Sequence, residues 1–185
     1  MPVFIALLRG VNLASHNRMK METLRGVFES LKLRDAQTYI QSGNIVFRAK
    51  ESDEAKLAAR IERAIEAEFG FRPPVILRKS AEWNQAIARN PFAGRAGIEP
   101  SKLLVHFLAG DPGEAARERA RAVPPAPEEV HFFDREIYIY FPNGMARPQL
   151  SFPSVERALK VAGSGRNWNT VLKLSDMAER LEAGE

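Results

Sequence analysis

Ten residues, TYIQSGNIVF at positions 38–47, decide the fold. Side chains that favour strands lie on both sides of Ser42-Gly43, and glycine supplies the positive φ that a tight turn requires. The pattern predicts two strands, residues 36–40 and 45–47, joined as a hairpin. The elements before and after the hairpin then have to pair with it.

The flanking segments alternate between strand and helix patterns. The apolar run 3–8 suits a central strand, and residues 20–31 and 54–69 carry apolar side chains at helical spacing. Asn17 is placed to cap the first helix. A fourth strand over 73–77 completes βαββαβ, the ferredoxin-like unit.

The same order begins again after a segment rich in proline and glycine at 90–101. The predicted elements are a strand at 103–108, a helix at 112–122, a hairpin over 130–133 and 137–141, and helices at 153–161 and 168–183. This half repeats βαββα, and no final strand is evident.

We therefore expect an α+β fold of two ferredoxin-like βαββα(β) halves, each an antiparallel sheet with helices packed on one face. The halves are predicted at residues 1–89 and 102–185, with 90–101 as the linker. One compact domain is the alternative.

The composition excludes several kinds of protein. The 185 residues include no cysteine, which excludes disulfides, thiolate catalysis and cysteine-ligated metals. The apolar run at residues 3–8 is too short to cross a bilayer and lacks the flanks of a signal peptide, so we expect a cytoplasmic protein with no membrane partner. No residue spacing indicates a metal, a cofactor or a nucleophile elbow, and the pattern does not decide whether the protein is an enzyme.

Two groups of polar residues are predicted to lie at one edge of the first sheet. One group follows the first strand: Arg9, Asn12, Asn17 and Arg18. The other is the hairpin turn: Gln41, Ser42 and Asn44. A helix joins the first two strands, so these strands run in the same direction, and the end of the first lies beside the turn that follows the second.

Each group has a structural and a binding interpretation. The Arg9 guanidinium suits a carboxylate or phosphate ligand, or an internal ion pair. Asn12, Asn17 and the turn residues 41–44 are also common in ordinary turns and caps. Lys20 lies near a predicted helix start, where the dipole disfavours a cation; a bound anion or simple solvation would relieve this.

A third polar group precedes the last predicted helix: Arg166, Asn167, Trp168 and Asn169. Asn167 can cap the helix while Trp168 closes the core between the halves. Alternatively, Arg166 contacts an anion at the helix start and Trp168 stacks on a ring.

These groups support a hypothesis of small-molecule or anion binding at the edge formed by the first strand–helix loop and the first hairpin turn. The second half would close the site through Arg166 and Trp168. The alternative is a nucleic-acid or protein interaction module in which the polar motifs serve structure. A net charge of +4 permits an anionic partner, but the charges are scattered along the helices and form no basic stripe.

Four motifs also carry a family resemblance. They are Leu7-Leu8-Arg9-Gly10-Val11-Asn12, the segment 38–47, Asn90-Pro91-Phe92 and Arg166-Asn167-Trp168-Asn169-Thr170. Together they resemble the family known as domain of unknown function 1697, over residues 3 to about 175. The resemblance implies a cytoplasmic bacterial-type protein with two ferredoxin-like halves and no established activity.

The chain departs from the family pattern at two places. Ala14-Ser15-His16 stands where family members often carry Gly-Gly-Lys, which weakens the idea of a glycine cradle with a phosphate-binding lysine. Ser164 stands where a threonine commonly precedes the Arg-Asn-Trp motif.

Overall fold

A computed structural model describes residues 1–13 and 16–184 of the chain. Its Cα positions divide into two compact units, Met1–Gln85 with Lys173–Glu185, and Ala86–Leu172. Each unit contains one four-stranded sheet in which neighbouring strands are antiparallel. Ala14 and Ser15, part of the family departure, lie outside the described residues.

The first unit has the predicted ferredoxin-like order of elements. They are β1 (Val3–Leu8), α1 (Met21–Ser30), β2 (Arg34–Tyr39), β3 (Asn44–Arg48), α2 (Glu54–Phe69), β4 (Val75–Lys79) and the start of α3 (Ser80–Ala88). Residues 173–183 of the last helix also belong to this unit. The strands are arranged β2-β3-β1-β4, which places β1 in the centre between β3 and β4. Every residue of β1 is buried, as its continuous apolar run predicts.

One face of this sheet packs against α1 and α2. Phe4, Ala6 and Leu8 of β1 alternate toward the helices, and all three are buried. Phe28 of α1 meets Phe47 of β3 edge-on, with 5.0 Å between ring centroids. Because burying a large apolar side chain contributes about 1.5–3 kcal/mol, this layer provides much of the stability of the unit.

The two helices of this unit begin differently. Asp53 caps α2 by accepting a hydrogen bond from the Lys56 N–H at 3.0 Å. In α1 the N-cap is Lys20, whose side chain makes no capping hydrogen bond. The prediction that Asn17 caps α1 is wrong, because the helix begins at Met21 and Asn17 lies too far upstream.

The second unit repeats the strand order of the first. It comprises the end of α3, a 3₁₀ turn (Pro100–Lys102), β5 (Leu103–Leu108), α4 (Glu114–Arg121), β6 (Glu129–Phe132), β7 (Glu136–Tyr140), α5 (Phe152–Leu159), β8 (Gly163–Asn167) and the start of α6 (Trp168–Ala183). The strands are arranged β6-β7-β5-β8, so β5 occupies the central place that β1 has in the first unit. The final strand that the sequence does not reveal is β8, paired with β5.

Strand β8 is not evident in the sequence because glycine at its first position is required by close packing against the neighbouring strand β5. The ring of His106 on β5 is buried and lies 4.4 Å, centroid to centroid, from Phe152 of α5. A Cβ at Gly163 would overlap that ring and come within 2.8 Å of the Phe107 carbonyl oxygen. Glycine is therefore required here for close packing, although it lowers the strand signal in the sequence.

The Asn90-Pro91-Phe92 motif packs on the sheet of the second unit. The Asn90 side chain accepts a hydrogen bond from the Phe92 N–H at 3.0 Å, and the Phe92 ring is 2% exposed. Its centroid lies 5.1 Å from that of His131 and 5.7 Å from that of Tyr140. The motif is therefore an aromatic anchor for residues 90–101, which follow α3.

Replacing Gly163 by alanine should destabilise the protein by about 1–3 kcal/mol, the usual cost of overpacking. The added methyl would collide with His106 and the backbone of β5. Chemical denaturation in urea measures the loss as a lower midpoint at unchanged slope.

The control is Gly26→Ala in α1, where the added Cβ would meet nothing within 4 Å. That change should stabilise the helix by about 0.5–1 kcal/mol. A Gly163→Ala protein as stable as the wild type would contradict the packing role given to this glycine.

Candidate functional site

The end of β1 and the first hairpin turn meet at one edge of the first sheet. The Leu8 N–H donates to the Gly43 carbonyl oxygen at 2.8 Å, and Leu7 pairs with Asn44 in the β1–β3 ladder. The loop that joins β1 to α1, described at residues 9–13 and 16–20, therefore starts beside the turn, as the chain direction predicts.

Leu8 and Val11 approach the hairpin turn so closely that there is no space for a side chain at Gly43. A Cβ there would lie 2.6 Å from Val11 Cγ2 and 2.7 Å from Leu8 Cβ. Gly43 also has a φ of 73°, which other residues adopt at a cost. The glycine of the hairpin motif thus meets both a conformational and a steric requirement.

Asn12 fastens the loop to the turn. Its Nδ2 donates to the carbonyl oxygens of Gln41 at 2.8 Å and Met19 at 3.1 Å, and its Oδ1 accepts from the Met19 N–H at 2.8 Å. Asn17 closes the same loop by donating to the Gly10 carbonyl oxygen at 3.0 Å. Both asparagines adopt positive φ, and their amides support the structural interpretation of these positions.

The buried side chain of Asn44 stabilises the hairpin turn. Its side chain is fully buried, and Nδ2 donates to the Tyr39 carbonyl oxygen at 3.1 Å and to Ser42 Oγ at 2.9 Å. Ile40 in the same turn has a φ of 47°, an uncommon value for a β-branched residue, and its side chain is 53% exposed. The Asn44 side chain therefore stabilises the turn through its hydrogen bonds to the Ser42 side chain and to the backbone of Tyr39.

A cavity of about 820 Å³ opens beside this edge. Residues from the loop, the turn, the first turn of α1 and the end of α2 form its wall: Asn12, Arg18, Met19, Lys20, Met21, Glu22, Thr23, Gln41 and Phe69. Three predicted site residues are thus brought together, namely Asn12, Arg18 and Gln41. We name this space the loop cavity.

Lys20 and Phe69 belong to the loop cavity although neither was predicted as a site residue. The sequence does contain an indication for Lys20, since a cation at a predicted helix start is disfavoured by the helix dipole and suggests a nearby anion. No sequence pattern indicates Phe69, because the end of α2 reaches this edge only through the packing of α2 on the sheet.

The remaining predicted residues of the first unit lie nearby but do not line the loop cavity: Arg9, Asn17, Ser42 and Asn44. Arg9 is half-buried directly after β1, and its backbone N–H donates to the Pro74 carbonyl oxygen at 3.0 Å.

The start of α1 lies at this wall. The first N–H groups of an α-helix have no acceptor within the helix, and they carry the positive end of its dipole. At α1 the N-cap Lys20 supplies no side-chain acceptor, and Met21, Glu22 and Thr23 line the cavity.

At the equivalent edge of the second unit, the connection that follows the central strand is different. Leu108 N–H donates to the Arg135 carbonyl oxygen at 2.8 Å, but only residues 109–113 separate β5 from α4. Asp111 accepts from the Gly113 N–H at 2.8 Å and pairs with Arg117. The Gly113 amide and the Arg117 guanidinium hold the pKa of Asp111 below its usual value, so a carboxylate of the chain remains charged before α4.

The third polar group belongs to the second unit and consists of strand and cap residues. Arg166 lies in β8 opposite Val105, and Nη1 donates to Ser164 Oγ at 2.6 Å and to the Gly165 carbonyl oxygen at 2.8 Å. Burial lowers the pKa of Arg166 to about 10, which still leaves it charged at neutral pH.

Asn167 is the cap that the sequence predicts. Its Oδ1 accepts from the Asn169 N–H at 3.0 Å at the start of α6, and its Nδ2 donates to the Ser101 carbonyl oxygen at 2.9 Å. Trp168 is half-buried and Asn169 is exposed. The contacts of Asn167 thus join β8, α6 and the 3₁₀ turn within the second unit.

Residues 1–13 and 16–184 contain no group of three or more His, Asp or Glu side chains that could hold a metal ion. Nor does any helix in this part of the chain have the length and apolar character needed to cross a membrane.

The fold and the polar edge define an α+β protein built from two ferredoxin-like units. The family described as "Protein of unknown function (DUF1697)" matches residues 1–138, so the chain belongs to that family. The predicted resemblance is confirmed; the matched range includes the loop and hairpin motifs, and the Arg166–Thr170 motif lies beyond it.

The structure is similar to the conserved bacterial protein SP0830 from Streptococcus pneumoniae. The TM-score is 0.69 at 21% sequence identity, and the alignment covers 96% of this chain and 98% of that chain. At this identity the likeness concerns the fold alone. The sequence has no match among curated proteins.

Asn12→Ala should destabilise the protein by about 3 kcal/mol, because it removes three hydrogen bonds worth about 1 kcal/mol each. Asn17→Ala removes the single hydrogen bond to Gly10 and should cost about 1 kcal/mol through that bond. Both positions have positive φ, so the added backbone cost for alanine cancels in the comparison.

Thermal and urea unfolding of the two variants provide the measurement. Equal losses in the two variants would contradict the larger role given to Asn12 in holding the loop.

Proposed function

We propose that the protein binds a small anionic molecule in the loop cavity. The observation that carries this proposal is the cavity itself, about 820 Å³ with Arg18 and Lys20 in its wall beside the start of α1. Cavities of roughly 300–1,000 Å³ are typical of small-molecule sites. The proposal places this binding in the cytoplasm, as the sequence predicts.

Charge favours an anion over a neutral ligand. Arg18 and Lys20 outnumber Glu22 among the charged side chains that line the cavity. A phosphate or carboxylate can accept hydrogen bonds from a guanidinium and from the N–H groups of a helix start. Gln41 and the Thr23 hydroxyl supply neutral groups that could orient the rest of the ligand.

The contrast between the two units supports the same conclusion. In the second unit the Asp111 carboxylate accepts a hydrogen bond from Gly113, the residue before α4, and pairs with Arg117. In the first unit a longer loop leads to α1, and a lysine is its N-cap. Glu22 lies within the first turn of α1, and a bound anion would add, before that turn, the negative charge that Asp111 supplies before α4.

In this proposal the asparagines have a supporting role. Asn12, Asn17 and Asn44 fix the loop and the turn through hydrogen bonds to backbone groups. Arg166, Asn167, Trp168 and Asn169 belong to β8 and α6 and do not line the loop cavity. The ligand contacts are therefore assigned to Arg18, Lys20, Gln41 and the first turn of α1.

Arg18→Gln should weaken the binding of inorganic phosphate or small carboxylates at least roughly tenfold. A hydrogen bond to a charged group is worth about 1.5–3 kcal/mol, and 1.4 kcal/mol corresponds to about a factor of ten. Isothermal titration calorimetry at low salt measures the change, and amide shifts of residues 18–23 in NMR spectra locate it.

The matched control is Arg63→Gln, since Arg63 is exposed on α2 and does not line the cavity. This variant should retain the affinity of the wild type. An equal loss in both variants would indicate unspecific charge attraction. Binding of single-stranded oligonucleotides that falls steeply with salt and depends equally on both arginines would favour the nucleic-acid alternative.

A further inference from the structure

A second cavity adjoins the loop cavity at Thr23 on the surface of the first unit. It has a volume of about 460 Å³ and lies between α1 and α2, lined by Thr23, Gly26, Val27, Ser30, Ala64, Ala67 and Glu68. Thr23 lines both cavities, and Phe69 of the loop cavity follows Glu68 of this one. We name the second space the helix groove.

The groove has an open place at Gly26. A Cβ at this position would meet nothing within 4 Å, so packing within the unit does not require glycine there. Glycine in the interior of a helix is unfavourable by roughly 0.5–1 kcal/mol relative to alanine. Neither a turn nor a close contact with another element accounts for it.

Charge and apolar surface are separated along the combined space. The cations Arg18 and Lys20 line only the loop cavity, where Met21 and Phe69 add apolar surface near the junction. The groove beyond Thr23 has one carboxylate, Glu68, and otherwise apolar, small or hydroxyl side chains. An anion is favoured at the first end, and apolar groups are favoured along the second.

We propose that the ligand is a small amphiphilic anion, whose carboxylate or phosphate lies near Arg18 and Lys20 and whose apolar chain lies in the helix groove. This inference rests on the proposed function, because it uses the same loop cavity for the anionic group. The shared wall at Thr23 and the position of the cations at one end support a single elongated ligand over two separate ones.

The size of the space favours a small molecule with a short chain. Each of the two cavities, of about 820 and 460 Å³, lies within the range of roughly 300–1,000 Å³ that is usual for small-molecule pockets, so each can hold one part of a small ligand. Such a ligand would bury its methylene groups against Gly26, Ala64 and Ala67, which leave space between α1 and α2. Each fully buried methylene contributes about 0.8 kcal/mol, which corresponds to roughly a fourfold gain in affinity.

The test is a series of straight-chain carboxylates from acetate to decanoate, titrated calorimetrically into the whole chain below their micelle concentrations. We expect the affinity to rise by roughly two- to fourfold per methylene once the chain passes Thr23, because an open groove buries each group only in part. Ala67→Trp should fill the groove and abolish this rise, while acetate and phosphate bind as to the wild type.

Ala55→Trp is the matched control, because Ala55 is exposed on the same helix and lines neither cavity. This variant should keep the full dependence on chain length. Thermal unfolding of both variants would verify that each is folded.

The outcomes separate this inference from the proposed function. Binding of phosphate and acetate with no gain along the series would overturn the amphiphilic ligand and leave the anion site in place. Absence of binding by any member, phosphate included, would overturn both. A gain that persists in Ala67→Trp, or binding of extended peptides without binding of free carboxylates, would also overturn the assignment of the groove.

Discussion

The hydrogen bond from the Leu8 amide to the Gly43 carbonyl oxygen is the constraint on which the first unit depends. It forms at the point where the central strand ends and the hairpin turns, and only glycine leaves enough space for it. Val11 can then pack over the turn, and Asn12 can reach the Gln41 carbonyl oxygen. The side-chain contacts that hold the loop at the cavity therefore build on this close approach.

The second unit contains the same backbone bond, from Leu108 to Arg135, with the same strand order. What differs is the chain that follows. The connection at 109–113 is short and carries the Asp111 carboxylate, paired with Arg117. The connection from β1 to α1 is longer, and Arg18 within it is exposed. The same architecture therefore has two different edges, and at the first of them Arg18 and Lys20 line a cavity.

Much of this fold can be read from the sequence where a single physical rule decides the element. Apolar spacing predicts β1, α1 and α2 to within a residue, and the hairpin follows from Ser42-Gly43. The meeting of loop and turn follows from strand direction alone. Asn167 as the cap of α6 is likewise a local pattern, confirmed by its bond from Asn169.

Prediction from the sequence fails where the residue type is determined by a contact with a residue far away in the chain. Gly163 is set by the His106 ring on another strand, so β8 has no strand pattern of its own. Asn17 has the chemistry of a cap but lies too far from the first residue of α1. The loop cavity requires Phe69 at the end of α2, a position that only the packed unit brings to Lys20.

The division of the chain has a consequence for the order in which the protein can fold. The first unit includes Lys173–Glu185, and there Arg48 donates to the Leu181 carbonyl oxygen across 133 positions of sequence, while Ser175 donates to Asn84 at 2.7 Å. Closing such long segments is entropically costly and slows folding. During synthesis the first unit is therefore complete only after residues 173–184, which follow the whole of the second unit, have been translated.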